Sequence, residues 1–293
     1  MNDIQAKHEQ MLYPTARLIS RDTQGSGTII YSKENNGKVT TMVLTNSHVI
    51  EDCIKIKKGW DPRYHADMKR EHRNIVIVEC FKFNNMSTSI GTYSVNGDIV
   101  AYNIEEDIAL IELRDTINKW EYIARIFDPN TIDDIKIYEQ VHVVGAALGE
   151  DPLPTEGILF TISKDIDDYR YWGCTAPSIY GTSGGGVYRE IGDDYEWIGI
   201  PAMIRVHMTG FLPDPIPHLA YFIPPTRIKS FLDSNCYQFI YDDKYTVDQC
   251  NDMREAMRKS ARSTVEAKMG VVSDDVDEYV YDDENLDEFD DDE

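Results

Sequence analysis

Six consecutive residues, Gly181-Thr182-Ser183-Gly184-Gly185-Gly186, set one serine among neighbours with little or no side chain. Glycine has no Cβ, so the main chain can turn sharply there and approach a ligand closely. A serine on such a turn can present its Oγ while adjacent backbone N–H groups point at the same spot. That is the arrangement of an attacking hydroxyl beside an oxyanion hole. Alone, the pattern reads equally as a glycine-rich turn. The hydroxyl becomes a nucleophile only with a base to take its proton and an acid to orient that base.

Of the seven histidines, His48 has the most telling context, Val43-Leu44-Thr45-Asn46-Ser47-His48-Val49-Ile50. An apolar strand ends in small polar residues, then the imidazole, then apolar residues again. The ring would sit at a strand end, at the edge of a core. Asp107 leads into Ile108-Ala109-Leu110-Ile111-Glu112-Leu113, so its carboxylate would be partly desolvated. Such an Asp can accept the Nδ1–H of a histidine, fix its tautomer and stabilise the imidazolium. Taken singly, His48 reads as a satisfied core histidine and Asp107 as a solvated strand cap. His142, in an apolar strand, reads as structural. His65 and His72 could ligate a metal only with partners that the sequence does not identify. No metal or cofactor is expected.

These residues need a scaffold. From about residue 16 to 223, short apolar runs alternate with polar turns: 27–31, 41–45, 75–78, 108–111, 141–144 and 157–160. Each is strand length and rich in β-branched or aromatic residues. Turn signals separate them at Asn35-Asn36-Gly37, Asn96-Gly97-Asp98 and Gly149-Glu150-Asp151-Pro152. Many strands without helical periodicity imply an all-β sandwich or barrel. Residues 59–74 break the pattern and read as a polar loop or short helix. With Lys58, Arg63, Lys69, Arg70 and Arg73 the stretch is either a positive patch or a solvated loop. Pro224-Pro225-Thr226 signals a helix start, and 247–268 a weakly amphipathic, peripheral helix. A nucleophile elbow of the α/β-hydrolase kind is rejected. It needs strand–Ser–helix and the order Ser, acid, His, and three glycines start a helix poorly.

The net charge is −23, and thirteen Asp/Glu with no Lys or Arg lie in residues 274–293 alone. The extreme acidity therefore belongs to a tail, expected to be disordered. An acidic body argues against nucleic-acid and membrane partners, which need clustered basic residues. Within the tail, Tyr279, Tyr281, Leu286 and Phe289 punctuate the acids, so it reads either as a solubilising segment or as a docking motif for a basic partner. The five cysteines (Cys53, Cys80, Cys174, Cys236 and Cys250) are odd in number and lack C-x-x-C spacing, as reduced thiols would be. Cys174 reads as a small buried hydrophobe. No signal peptide or membrane span is evident, and a cytoplasmic location is expected.

The segments TNSHVI, DIALIEL and GTSGGG, in that order, resemble chymotrypsin-like serine peptidases, most of all the bacterial trypsin-like branch that includes the HtrA proteases. The flanks are similar too: Gly25–Ile30 to the family's first-barrel strand, Val143-Val144-Gly145 with Thr155–Leu159 to the pair opening the second barrel. Trp197–Ile200 resembles the strand after the nucleophile loop, and Ala220–Pro224 the last strand. The likeness covers about residues 15–233. It implies two six-stranded antiparallel β-barrels, an all-β fold of chymotrypsin type. Ser183 would be the nucleophile, His48 the general base, Asp107 its orienting acid, and the N–H groups of Gly181 and Ser183 the oxyanion hole. The substrate would be a polypeptide. Thr182 stands where zymogen-activated members carry an Asp, so activation by a new N-terminus is not expected. Pro177 stands where trypsin has an acid, which removes the basis for Lys/Arg preference. Pro177, Ile200, Pro201 and Ala202 would wall a pocket for a small or medium apolar side chain. An N-terminal arm (1–14), the peptidase domain (15–233), a helical extension (234–272) and the acidic tail (273–293) complete the expected organisation, with no PDZ domain. A catalytically silent barrel used for binding, and a self-processing protease of viral type, stand as rivals.

Overall fold

A computed structural model describes residues 3–62, 65–209 and 212–269. The strands are β1 (Thr15–Ile19), β2 (Gln24–Asn35), β3 (Lys38–Thr45), β4 (Ile54–Asp61), β5 (Ala66–Arg73), β6 (Val76–Phe83), β7 (Ser89–Asn103), β8 (Ile108–Leu113), β9 (Gln140–Gly145), β10 (Leu153–Ile166), β11 (Tyr169–Cys174), β12 (Gly186–Ile191), β13 (Asp194–Thr209) and β14 (Leu212–Ile223). Two closed barrels result, in the orders β1-β2-β3-β8-β7-β6 and β10-β11-β14-β13-β12-β9. The first closes by antiparallel pairing of β1 with β6, and the second by β9 with β10. The two six-stranded antiparallel barrels expected from the sequence are present.

Why some strands read as unbroken apolar runs follows from where their faces go. In β3 and β8, Val43, Ala109 and Ile111 fill the first barrel. Their neighbours Met42, Leu44, Ile108 and Leu110 face outward into the larger core shared with the second barrel and the C-terminal helices. A strand buried on both sides loses the period-two alternation and keeps only its length and β-branched content. Burying each Leu or Ile there contributes about 1.5–3 kcal/mol.

Two expectations change. Residues 59–74 are neither loop nor helix: β4 and β5 pair from Ile54↔Arg73 to Asp61↔Ala66 as a separate two-stranded sheet. Beyond Ile54, which packs on the first-barrel core at its base, the hairpin projects from the barrel, so no apolar period marked it as strand. Asn96-Gly97-Asp98 is not a turn but the middle of β7, pairing with β6 and β8. A Cβ at Gly97 would collide with Ile111, so its glycine serves a close approach of backbone to core rather than a bend.

Three helical segments close the barrels' outer faces. Helix α1 (Asp3–Lys7) continues as a π-turn (His8–Leu12) and docks on the second barrel. There Tyr195 Oη donates to Asp3 Oδ1 at 2.6 Å, and Gln10 accepts the Tyr195 N–H at 2.7 Å. Helix α2 (Pro225–Ser234) starts with proline at its first position, where a missing N–H costs nothing, and buries Ile228, Phe231 and Leu232. Helix α3 (Val247–Met269) follows, with Arg254 lying 4.0 Å over the Tyr237 ring. The acidic tail, and the disorder expected of it, lie outside the described residues.

One buried ion pair joins β12 to β13. Arg189 Nε donates to Glu196 Oε2 at 2.7 Å, with both side chains almost fully buried. Glu196 also accepts the Asp128 N–H, and Arg189 Nη2 reaches Thr131 Oγ1 at 3.1 Å. Removing one partner strands the other charge in the core. Glu196→Ala is expected to lower unfolding free energy by about 3–5 kcal/mol in chemical denaturation, whereas the double variant Arg189→Met/Glu196→Leu loses much less.

Candidate active site

Strand β3 ends at Thr45, and the chain tightens into a 3-10 turn, Ser47–Val49, that carries His48. Asp107 ends the turn between β7 and β8 with φ 57°, a left-handed conformation that Asp tolerates better than most residues. Asn46 Nδ2 holds the Asp107 carbonyl at 2.9 Å, which ties the two turns together. The Asp107 carboxylate then collects three donors. Oδ1 accepts from Ser47 Oγ at 3.1 Å and from the His48 N–H at 3.0 Å. His48 Nδ1 lies 3.0 Å from Oδ1 and 2.9 Å from Oδ2. A carboxylate only accepts, so this pairing places the proton on Nδ1 and leaves Nε2 as the basic nitrogen.

Ser183 comes from the other barrel, on the loop between β11 and β12. Its carbonyl accepts the Ser26 N–H of β2 at 2.8 Å. Gly184, at φ 85°, presses on the same strand: a Cβ there would meet Ser26 O and Thr45 Oγ1. Gly25 is crowded from one side by Val49, the residue after His48, and from the other by the Ser183 carbonyl. The Ser183 and His48 loops thus meet across the start of β2. Among the described residues, no hydrogen bond joins His48 Nε2 to Ser183 Oγ. The Asp107 carboxylate sets the ring through Nδ1, while Ser183 is fixed through its backbone.

The backbone beside Ser183 is oriented bond by bond. The Tyr180 carbonyl accepts the Leu148 N–H at 2.8 Å, which turns the N–H of the same peptide, that of Gly181, the opposite way. Ser26 Oγ donates to Gly181 O at 2.6 Å while accepting the Ala146 N–H at 2.7 Å. The Thr182 N–H bonds to Ile179 O, and the Gly184 N–H to Pro201 O. Among the described residues, the N–H groups of Gly181 and Ser183 have no hydrogen-bond partner. Arg17 supports this loop from the first barrel: it donates to Gly149 O and pairs with Glu79, Nε to Oε2 at 2.6 Å. Sequence reasoning missed Ser26 and Arg17. Both sit in first-barrel strands, far in sequence from the loop they hold, and only the barrel packing brings them there.

The remaining candidates are also in place or displaced. Thr182 Oγ1 donates to Ile179 O at 2.7 Å and accepts the Ile179 N–H, closing its own loop. Pro177 O accepts Thr155 Oγ1 at 2.8 Å. Ile200 is fully buried in the core, Pro201 is buried, and Ala202 falls in a bulge where β13 shifts register against β14. His142 is buried with Nε2 3.0 Å from Glu190 Oε1 and its ring against Tyr195. His65 and His72 lie on the β4–β5 hairpin, and among the described residues no group of three metal-ligating side chains gathers. All five cysteines are free and buried, and burial pushes Cys53 up to about 11 and Cys80 and Cys174 up to about 12. Those three supply no thiolate near neutral pH. Gly184→Ala is expected to destabilise by about 2–4 kcal/mol, from overpacking plus the left-handed backbone, read as a lower midpoint in denaturant with unchanged slope.

A family model, the trypsin-like peptidase domain, matches residues 25–200. Among solved structures, the chain is similar to the serine endoprotease from Yersinia pestis, with a TM-score of 0.51 and 17% identity. That match covers 80% of this chain and 66% of the other, so this chain spans just under two thirds of its length. No curated protein gives a significant match. A likeness at this identity speaks for the fold, while the family model spans both barrels and both loops of the site. The chain belongs to the trypsin-like peptidase domain family.

Proposed function

We propose that this chain is a serine endopeptidase working through His48, Asp107 and Ser183. The observation that carries the reading is the pairing of His48 Nδ1 with both Asp107 oxygens, at 3.0 and 2.9 Å, across from a serine loop with two unpartnered N–H groups. Ser183 Oγ attacks the scissile carbonyl and passes its proton to His48 Nε2. Asp107 holds the imidazolium that forms. The N–H groups of Gly181 and Ser183 take the charge developing on the carbonyl oxygen. His48 then protonates the leaving amine, and an acyl-enzyme on Ser183 remains. Water attacks the ester, giving its proton to His48, which returns it to Ser183.

The oxyanion hole is formed without proteolytic maturation in this reading. Thr182 is closed on Ile179, and Leu148 and Ser26 already set the peptides on either side of Gly181. Strand β12 pairs with β13 only as far as Gly199 and the Pro201 carbonyl takes the Gly184 N–H, so it is the β13 edge beyond Pro201 that would take an extended peptide strand. Pro177, Pro201 and Ala202, over Ile200, wall the pocket for a small or medium apolar residue. Residues 15–233 make up the peptidase unit, and the five free thiols fit a reducing, cytoplasm-like compartment.

A fluorophosphonate probe should label the wild-type protein and leave Ser183→Ala unlabelled. A folded wild type that takes no label would sink the enzyme and leave a binding barrel. Intact masses of wild type and Ser183→Ala that differ only by the one oxygen atom of the exchange would exclude self-processing. Asp107→Asn should lower kcat by about 10⁴ with the fold intact. Ser26→Ala, which frees the Gly181 carbonyl, should lower kcat/KM by about tenfold or more while His48 and Asp107 stay paired.

A further inference from the structure

The β4–β5 hairpin is a basic element on an acidic protein. Seven Lys/Arg and three Asp/Glu lie between residues 54 and 73, against a chain net charge of −23. Register makes the concentration sharper than the count. Lys57 stands directly opposite Arg70, Lys58 opposite Lys69, and Lys55 opposite His72. Like charges at directly paired positions destabilise a sheet. Among the described residues, Lys57, Lys58 and Lys69 make no ion pair, whereas Glu71 is already paired with Arg73 at 2.5 Å and with Tyr102 Oη at 2.8 Å. On the face that carries Lys58 and Lys69, Ile56 is 55% exposed and Trp60 is 60% exposed. The same face carries Glu71 opposite Ile56 and Asp67 opposite Trp60, whose ring meets His65 edge-on, so Lys58 and Lys69 form a doubly basic step between two exposed apolar side chains.

Residues 274–293 have the complementary pattern. Asp277-Glu278-Tyr279-Val280-Tyr281-Asp282-Asp283-Glu284 brackets three apolar or aromatic side chains with acids on both sides. Helix α3 brings the chain toward the hairpin. Its first turn touches Asn36 through Asp248, at the β2–β3 turn. Further along, Arg254 lies over Tyr237. Burial pushes the Tyr237 phenol up to about 12, and Arg254, Arg258 and Arg73 of the hairpin base all act on it in the opposite sense. Arg258 and Arg73 are therefore both within electrostatic reach of Tyr237. From Arg258 the helix runs on for about 16 Å to Met269. The 24 residues beyond it span up to about 80 Å, so reach is not limiting.

We infer that the β4–β5 hairpin is the docking site for the chain's own acidic segment 274–293, with Lys58 and Lys69 between its carboxylates and Ile56 and Trp60 against its aromatic side chains. The hairpin leaves the first barrel five residues after His48 and is closed at its base by the Asn74 N–H to Cys53 O bond. The docking itself requires no catalysis.

Zero-length carbodiimide cross-linking of the full chain at low micromolar concentration tests this, with peptide mapping by mass spectrometry. Links from Lys58 and Lys69 to carboxylates of 274–293 are expected within the monomer, and they should fade at about 0.5 M salt, where screening is within a few ångströms. A second readout uses a variant with the five acids of 277–284 changed to Asn or Gln. At the effective millimolar concentration of a tethered segment, its hairpin amides should exchange about tenfold faster than those of the wild type, with barrel amides unchanged. Tail links spread over exposed lysines such as Lys33, Lys119 and Lys229 would overturn the proposal. So would links found only in covalent dimers, which would make a second copy the occupant, or hairpin exchange indifferent to the tail charges.

Discussion

The candidate site is divided between two closed barrels, and Ser26 is the joint that sets one against the other. Its N–H holds the Ser183 carbonyl, its Oγ holds the Gly181 carbonyl and receives the Ala146 N–H, and its own carbonyl receives Thr45 Oγ1 at 2.7 Å. All of its polar groups are spent in a fully buried place, where each unmade bond costs about 1–3 kcal/mol. Thr45 is the last residue of the strand that delivers His48. One first-barrel residue thus fixes both the serine loop of the second barrel and the strand end that positions the imidazole. A closed barrel has no free edge along which to slide, so the relative placement of histidine and serine is set by packing rather than by either loop alone.

Around that joint the backbone is held in conformations that residues elsewhere avoid. Asp107 and Leu148 sit near φ 55°, and Gly181 and Gly184 near 90° and 85°. A non-glycine residue in that region costs about 1–3 kcal/mol and persists only where its surroundings over-determine it. Asp107 is over-determined by Asn46 on its carbonyl and by three donors on one carboxylate oxygen. Leu148, largely exposed, has no side-chain packing to explain its conformation. What it does is deliver its N–H to Tyr180 O, and Arg17 pins the next carbonyl. The strain is spent on aiming peptide groups at the space beside Ser183.

Much of this was legible in the sequence, for reasons that differ from element to element. Val43–Thr45 and Ile108–Ile111 were readable as strands because burial on both faces leaves an apolar run, and His48 and Asp107 stood at the ends of those runs. The glycines around Ser183 were readable because close approach leaves no room for a side chain. Ser26 and Arg17 were not, since their partners are more than a hundred residues away and a serine or arginine in a strand has no local signature. The hairpin was hidden for the opposite reason. A strand pair that meets the core only at its base, through Ile54, has no hydrophobic face to print a period of two on its sequence.

That hairpin raises a question of balance that the barrels do not. A lone two-stranded sheet is marginal in water, and this one opposes like charges at adjacent registers. Its base is anchored: Arg73 donates to Ile99 O at 2.7 Å and stacks on Tyr102, which holds Glu71. The acidic body supplies a further favourable field, but over a range of only about 10 Å at ordinary ionic strength. The outer pair, Lys58 opposite Lys69, projects away from the anchor and gains least from that field. Repulsion between two facing ammonium groups is short-ranged, and a diffuse field offsets it less well than an anion placed between them. The facing ammonium groups of Lys58 and Lys69 are therefore costly on an isolated protrusion, and carboxylates lying across them offset that repulsion.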